Sequence, residues 1–436
     1  MLSFLKALQR NERGNVLILT AACLPLLVGS AGLATDTIQW ALWKRQLQRA
    51  ADSAAIAGVY ERVQGKGTSG VSAVVTKDLE INQHTGIALY ENPTITFPDD
   101  QGSMTTQVHV VLRVQKPLSF SSMFMTAAPI IRAEATAASV PGTDDYCVVS
   151  LENTVALGIQ GSGSGTVETD CSWITNSVAN IAAMAKGNST IYAKVIAAAG
   201  GIPESKNFHV DRYDPYIPQI EDPYADLEAV PADMKCTGVP LNDGTNLAPF
   251  FNSGTQVKNC FSSLSVASNQ TLTLPAGVYY IDGGNVTIQG TLKCTGCTIV
   301  LTNSNPTSTT IGNFDMRASG NIQVSAPTEG KWAGIAVYQD RRAQDNMGKA
   351  QSGVMPANAP NKINGNSSSW IQGVLYFPKQ QLTYNGNGNG NWTCTQFVAR
   401  RIQFSGNNSS KFSSQSACDG TGVEPVEGGR RIRLVA

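Results

Sequence analysis

The residues with the clearest chemistry in this 436-residue chain are its nine cysteines. Cys23 lies in an apolar run and reads as a small buried residue. The other eight are Cys147, Cys171, Cys236, Cys260, Cys294, Cys297, Cys394 and Cys418. An even set in an exported domain points to disulfides. Taken as sequence neighbours, the pairs are separated by 24, 24, 3 and 24 residues. In a strand solenoid, a separation of one coil stacks two residues about 4.8 Å apart. That spacing lies inside the Cα range a disulfide accepts. The expected bridges are Cys147–Cys171, Cys236–Cys260 and Cys394–Cys418, each contributing about 3 kcal/mol through loop closure. Cys294-Thr-Gly-Cys297 is read as a structural bridge across a turn. A redox C-x-x-C opens a helix that lowers a thiol pKa, whereas Thr298-Ile299-Val300-Leu301 has strand character. A zinc site needs further ligands, and His84, His109 and His209 show no clustered spacing. No metal and no cofactor is expected.

The second chemical set is acidic and basic. Positioned carboxylates cleave polysaccharides, and Asp282, Asp315, Asp340, Arg341 and Arg342 are the candidates. Asp340-Arg341-Arg342 follows a strand end and could face a cleft. A salt-bridged turn explains the same residues and is preferred. No G-x-S-x-G elbow is present. Gly161–Gly165 (GSGSG) lacks a following Lys-Ser/Thr, so it is a tight turn rather than a phosphate loop. The chain is therefore read as a non-enzyme.

The elements that carry these residues follow from composition and pattern. Lys+Arg and Asp+Glu are both 32, so net charge is zero, which argues against nucleic-acid binding. Charged residues are only 15%, and hydrophobic residues are 42%, enough for a core. From Pro141 onward, short apolar runs recur between Gly, Asn, Ser and Thr turns. Strand starts at Val286, Ile299, Ile311, Ile322 and Ile335 give a loose rhythm, with two strands making a coil of about 24 residues. This predicts a mainly β ectodomain, a right-handed parallel β-helix, with a β-sandwich as the alternative. Pro203, Pro215, Pro218, Pro223 and Pro231 interrupt it, and proline cannot donate to a ladder. That stretch is expected to be a surface excursion, with Tyr213, Tyr216 and Tyr224 packed on the solenoid rather than binding a ligand. Residues 61–140 read as a small α+β module with a short helix at Thr76–Gln83. Its strands are Thr94–Phe97, Thr106–Val114 and Ile130–Ser139. In the second strand His109 and Arg113 share one face, and Val108, Val110, Leu112 and Val114 the other. Ser119–Ala128 is expected to form a helical turn closing the module.

Residues 14–35 carry no charge, and about 20 apolar residues span a bilayer. Lys6, Arg10 and Arg13 precede the run, so the positive-inside rule keeps the short N-terminus in the cytoplasm. A cleaved signal peptide is the competing reading, with Gly29, Ser30, Ala31, Gly32 and Ala34 near the cleavage site. Retention is preferred because the helical pattern continues through Asp36–Val59. There Trp40 and Trp43 suit a membrane interface, and Ala50, Ala51, Ala54, Ala55 and Ala57 form a smooth face for close packing on another helix. A helix of about 45 residues, half in the membrane and half outside, has the shape of a pilin or pseudopilin helix.

Arg10–Val59 resembles the N-terminal module of TadE/TadG-like Flp (tight adherence) pilus-assembly proteins. The matching features are R-x-E-R-G before the apolar run, an acid just after it, and L-Q-x-A-A-D-x-A-A-x-A-G. They fall on Arg10, Glu12, Arg13, Gly14, Asp36, Leu47, Gln48, Ala50, Ala51, Asp52, Ala54, Ala55, Ala57 and Gly58. GIAVYQD and GVLYFPKQQLTYNGNG are similar to ectodomains of some TadG-like proteins. The D-x-S-x-S metal motif of the von Willebrand A domains that many relatives carry is absent. Leu19 stands where a prepilin signal starting at Gly14 would need Glu, so prepilin processing there is not expected. The resemblance implies a single-pass bacterial inner-membrane protein with its ectodomain in the periplasm or at the cell surface. It would act as a minor pilin or assembly scaffold, with Arg13, Gly14, Asp36, Leu47, Ala50, Ala51, Asp52, Ala54 and Ala55 anchoring it and packing on pilins or assembly proteins. A surface adhesin and a polysaccharide lyase or hydrolase are the alternatives. The expected domains are 1–60 (tip, span and helical extension), 61–140 (small module) and 141–436 (disulfide-braced solenoid).

Overall fold

The computed structural model describes residues 12–81, 88–230, 234–345, 351–355, 359–386, 390–407, 409–413 and 418–435. They form two compact units rather than three domains: one runs through Pro141 and takes in the chain from Arg431 onward, and the other is Gly142–Arg430.

The first unit is built on one helix, α1, Glu12–Val63, 52 residues long. Pro25 sits inside it, which a helix in lipid tolerates. Gly65, at φ 78°, turns the chain after α1 in the left-handed conformation that favours glycine. A second helix, α2 (Thr68–Ile81), starts earlier than the pattern suggested and buries Val71, Val75 and Leu79. Three antiparallel strands follow: β1 (Thr94–Thr96), β2 (Thr105–Gln115) and β3 (Ile130–Val140). Val108, Val110, Leu112 and Val114 face the core, and His109 and Arg113 the other side, as strand alternation requires. Arg431–Leu434 adds a fourth strand beside β3. Nothing in its short, charged sequence announced that return.

The second unit is a stack of parallel strands in β-helix-like coils. Each regular coil has three short strands, not two: Gly277–Asp282, Val286–Ile288 and Thr291–Thr295 pair respectively with Cys297–Thr302, Phe314–Met316 and Asn321–Ser325. Val286–Ile288 was expected; Thr291–Thr295, only two residues after it, was not separated from it, and the strand expected at Ile311 begins at Phe314. One ladder of partners runs through the whole stack, Cys260–Tyr280–Val300–Tyr338–Tyr376–Val398 and on through Val149–Ile174–Ala197. The steps vary, because coils such as Val300 to Tyr338 carry inserted loops that Cys260 to Tyr280 lacks.

Chain order and stacking order differ. The chain begins in the middle of the stack at Asp145–Ser150 and climbs outward to Phe208–Asp214. It then crosses to the far end, restarts near Cys236, and climbs back until Phe397–Ala399 pairs with Val148–Ser150. The crossing is the later part of the proline-punctuated stretch; Phe208–Asp214 within it, expected to be excursion, instead pairs in parallel with Thr190–Ala198 and includes Tyr213. The crossing touches coil after coil along the stack: Ile217 N–H donates to Ala198 O, Ile220 exchanges hydrogen bonds with Asn176, and Tyr224 donates to Gln396, one coil back from the Asp222 contact. Asp222 accepts from Tyr376, and Leu227 O from Tyr338. Along the same course Ile217, Ile220, Tyr224 and Leu227 pack over the outward row of Tyr280, Tyr338, Tyr376 and Val398. Prolines suit a strap that crosses the ladders and takes no part in them. Pro231 lies outside the described residues.

The weld between last and first coils holds a buried charge quartet. Glu152, fully buried, accepts from Arg400 at 3.1 Å and from Arg401 at 3.2 Å. Asp345 closes the group on both arginines. A glycine column continues across the same junction: Cβ atoms on Gly163 and Gly406 would meet the carbonyls of Gly406 and Gly386, so GSGSG is a corner where backbones stack.

Removing one partner of a buried ion pair leaves an uncompensated charge, so Glu152→Ala is expected to lower stability by about 3–5 kcal/mol. Arg212→Ala, which removes a side chain 44% exposed in its pair with Asp144, should cost less than about 1 kcal/mol. Urea unfolding of both variants checks this, and equal losses would remove the weld's importance.

Candidate functional site

The site residues on α1 fall into two stretches. Arg13 and Gly14 lie in its first turns, ahead of the residues whose side chains are described. Leu24, Leu26, Leu27, Val28 and Leu33 are exposed along the apolar run. From Leu47 on, one face is buried: Leu47, Ala51, Ala54, Ala55 and Val59, at the i, i+4, i+7, i+8 spacing of a helix stripe. They pack with Val71 and Val75 of α2 and Val108, Ala133 and Ala135 of the sheet. Ala50 lies at the edge of the same cluster, and Asp52 is half-buried, accepting from Gln48 at 2.8 Å. Gly58 completes the stripe, since a Cβ there would press on Val75 and Val108 at 2.9 Å. The small-residue face expected to meet another chain's helix is therefore occupied by this chain's own sheet and α2. The side of α1 left exposed above the apolar run carries Ile38, Leu42, Arg45 and Arg49, again on one helical stripe.

Asp36 is buried despite its charge. Its carboxylate accepts the backbone N–H of Phe120 at 2.9 Å, and the N–H and hydroxyl of Ser121 at 2.5 Å each. Those residues open the single turn Ser121–Met123 in the β2–β3 connection. The Phe120 ring lies where a side chain on residue 32 would stand, so Gly32 is needed for that close approach. Asp36 thus fastens the head to the helix at the end of the uncharged run. Sequence marked Asp36 through the resemblance alone, and no local signal pointed to Phe120 or Ser121.

The cysteines pair as Cys147–Cys171, Cys236–Cys260, Cys294–Cys297 and Cys394–Cys418. The first two join adjacent coils, and Cys236–Cys260 pins the end of the strap. Cys294–Cys297 spans a coil corner at Gly296, φ 73°. Cys394–Cys418 ties the last coil to the segment that returns as Val426–Glu427 along Asp145–Tyr146. Cys236, Cys260 and Asp282 lie within 4.8 Å of one another, but both sulfurs are consumed in their bond. His109 bonds Thr136 at 2.8 Å in the first unit and His209 stacks on Tyr192 in the second; His84 lies outside the described residues.

The candidate carboxylates each hold a loop. Asp282 accepts from the Ser304 N–H and hydroxyl, and Asp315 pairs with Arg317 at 3.4 Å. Asp340 accepts from Thr302 at 2.6 Å and from Arg342 at 2.6 Å, while Arg342 also donates to the carbonyls of Asn303 and Asn305. Burial pushes the Asp340 carboxyl up, but the bonds from Arg342 and Thr302 outweigh it and hold it below the ordinary value of 3.8. Arg341 turns the other way, pairing with Asp222 of the strap and lying over the Tyr376 ring. Burial, then the Asp222 charge, pushes the Tyr376 phenol up, so it stays a donor. These residues clamp loops and strap; they do not converge on a reacting atom. A cleft of about 660 Å³ lies elsewhere in this unit, between Asp145, Glu329, Gln396, Asp419 and Glu424. It contains no basic side chain among its lining residues.

Residues 14–61 match the Tad family, described as Flp pilus-assembly TadE/G-like. The N-terminal part of the chain thus carries a TadE/G-like Flp pilus-assembly domain, and the matched stretch is α1 almost to its end. No curated protein matches the chain. One solved structure, the competence-associated pilin ComZ from Thermus thermophilus, aligns over 82% of this chain and 90% of that one. Its 9% identity and TM-score of 0.32 make the likeness too slight to argue from.

Because the folded Asp340 carboxyl sits below its unfolded value, its contribution is present above 3.8 and is lost as pH falls through the folded value. The Tm gap between the wild type and Asp340→Asn should be full at neutral pH and narrow below about pH 4. A gap independent of pH would contradict the clamp.

Proposed function

We propose that the protein is a membrane-anchored, non-enzymatic component of Flp/Tad-type pilus biogenesis, serving as a minor pilin or assembly scaffold. α1 crosses the bacterial inner membrane once, with the basic residues Lys6, Arg10 and Arg13 on the cytoplasmic side. The second unit, a right-handed parallel β-helix braced by four disulfides, stands in the periplasm or at the cell surface, where disulfides persist.

The observation that carries this reading is the coincidence of the family match at 14–61 with one continuous helix. Its lower part is exposed and apolar, and its upper part is covered by the chain's own head. Gly32, inside the stretch a signal peptidase would cut, gives the Phe120 ring its seat on the helix, while Asp36, which either outcome retains, holds the backbone of Phe120 and Ser121. A segment that completes the fold in this way is an anchor rather than a discarded leader. With the alanine face occupied, pilins or assembly proteins meet α1 on the stripe Ile38, Leu42, Arg45 and Arg49.

An in-frame deletion, complemented as a control, is expected to abolish surface Flp-type pili counted by electron microscopy. Complementation with Leu42→Asp should restore the protein but not the pili. Normal pili with lost adherence would favour a surface adhesin, and normal pili with normal adherence would overturn the proposal.

A further inference from the structure

We propose that the β2–β3 connection, residues 116–129, is a second membrane contact that lies in the outer interface of the bilayer crossed by α1. The inference rests on the reading of α1 as a span and adds a contact that reading does not require.

The connection is KPLSFSSMFMTAAP, with one basic residue and no acidic one. At its tip Met123 is 75% exposed, Phe124 74% and Met125 49%. Three large apolar side chains in a row on a surface turn are left largely uncovered by the described residues of their unit. Ile130, where β3 begins, is also exposed. A soluble surface rarely gathers such a patch without a partner.

Depth identifies the partner. The hydrocarbon core is about 30 Å thick, and a helix rises about 1.5 Å per residue, so a span takes about 20 residues. Counted from Gly14, the core ends near Leu33. Phe120 is seated on Gly32, and Asp36 one turn higher holds the backbone of Phe120 and Ser121. The turn is thereby fixed at the depth where the core gives way to headgroups. The Phe124 ring packs against Phe120, centroids 5.3 Å apart, which continues the apolar belt of α1 sideways. Lys116 lies over the Trp43 ring at 5.0 Å, and Lys44 donates to the Arg132 carbonyl. Both sit about 15 Å beyond Leu33, past the headgroups, so the contact with lipid is confined to the turn itself. The occupant of the patch is therefore the lipid of the same bilayer. With two points of attachment, α1 and the turn, the first unit is held at a set tilt and rotation on the membrane.

The test uses the full-length protein in phosphatidylcholine vesicles, in a Cys23→Ser background. One environment-sensitive fluorophore is attached at Phe124→Cys, Leu27→Cys or Glu80→Cys, and the disulfide-bonded cysteines stay unlabelled without reductant. Spin-labelled lipid and aqueous iodide serve as quenchers. The expected result is blue-shifted emission and lipid quenching at positions 27 and 124, with iodide quenching only at 80. Adding Asp36→Asn should shift position 124 toward iodide and leave 27 unchanged. Lipid quenching at 27 with iodide quenching at 124 would overturn the second contact while leaving the anchor intact. Iodide quenching at both would overturn the anchor as well.

Discussion

The apolar stripe of α1 has to be covered along a length no single environment supplies. A 52-residue helix is about 78 Å long, more than twice the thickness of a bilayer core. Above the uncharged run, Leu47, Ala51, Ala54, Ala55 and Val59 are covered by α2 and the four-stranded sheet. Along the uncharged run Leu24, Leu26, Leu27, Val28 and Leu33 are exposed, with no covering among the described residues. Asp36 stands where the protein's own covering of the helix begins. A buried carboxylate must be satisfied, and three donors from Phe120 and Ser121 satisfy it. The polar residue at the end of the uncharged run is in this way also the fastener that holds the β2–β3 connection to α1.

The same constraint shapes the second unit. A coil buries one face of each strand toward the interior. Tyr280, Val300, Tyr338, Tyr376 and Val398 point the other way and form an apolar row on the outside. The strap from Ile217 to Leu227 covers that row, and Asp222, Tyr376 and Arg341 hold it down. Since the strap must run across the coils, the chain builds outward from the middle, crosses, and builds back. The two series of coils then need a weld, supplied by Glu152, Arg400, Arg401 and Asp345. Candidates for catalysis in the sequence, Asp340 and Arg341 among them, are parts of this bracing.

Local signals made much of this legible. The uncharged run, the Ala stripe, the alternation of Val108 to Val114 and the strand-and-turn texture after Pro141 all reflect near neighbours in the chain. What was not legible depends on distant partners. The meeting of Val149 with Val398 joins residues with no shared local pattern. The coil was expected to have two strands in a loose rhythm of about 24 residues; it has three, and the loop inserted at 303–311 breaks the rhythm. The Ala stripe was expected to meet another chain, because its smallness shows that something packs closely but not what. The fastening of Asp36 joins residues 84 and 85 positions apart, out of reach of any periodicity.

The central claim is that α1 stays on the mature protein as its membrane anchor. The most direct measurement is the N-terminal sequence and intact mass of the protein extracted from membranes after alkaline washing. Retention of residues 14–35 in the membrane fraction is the predicted result. A mature chain beginning between Gly29 and Asp36, released by the wash, would contradict it.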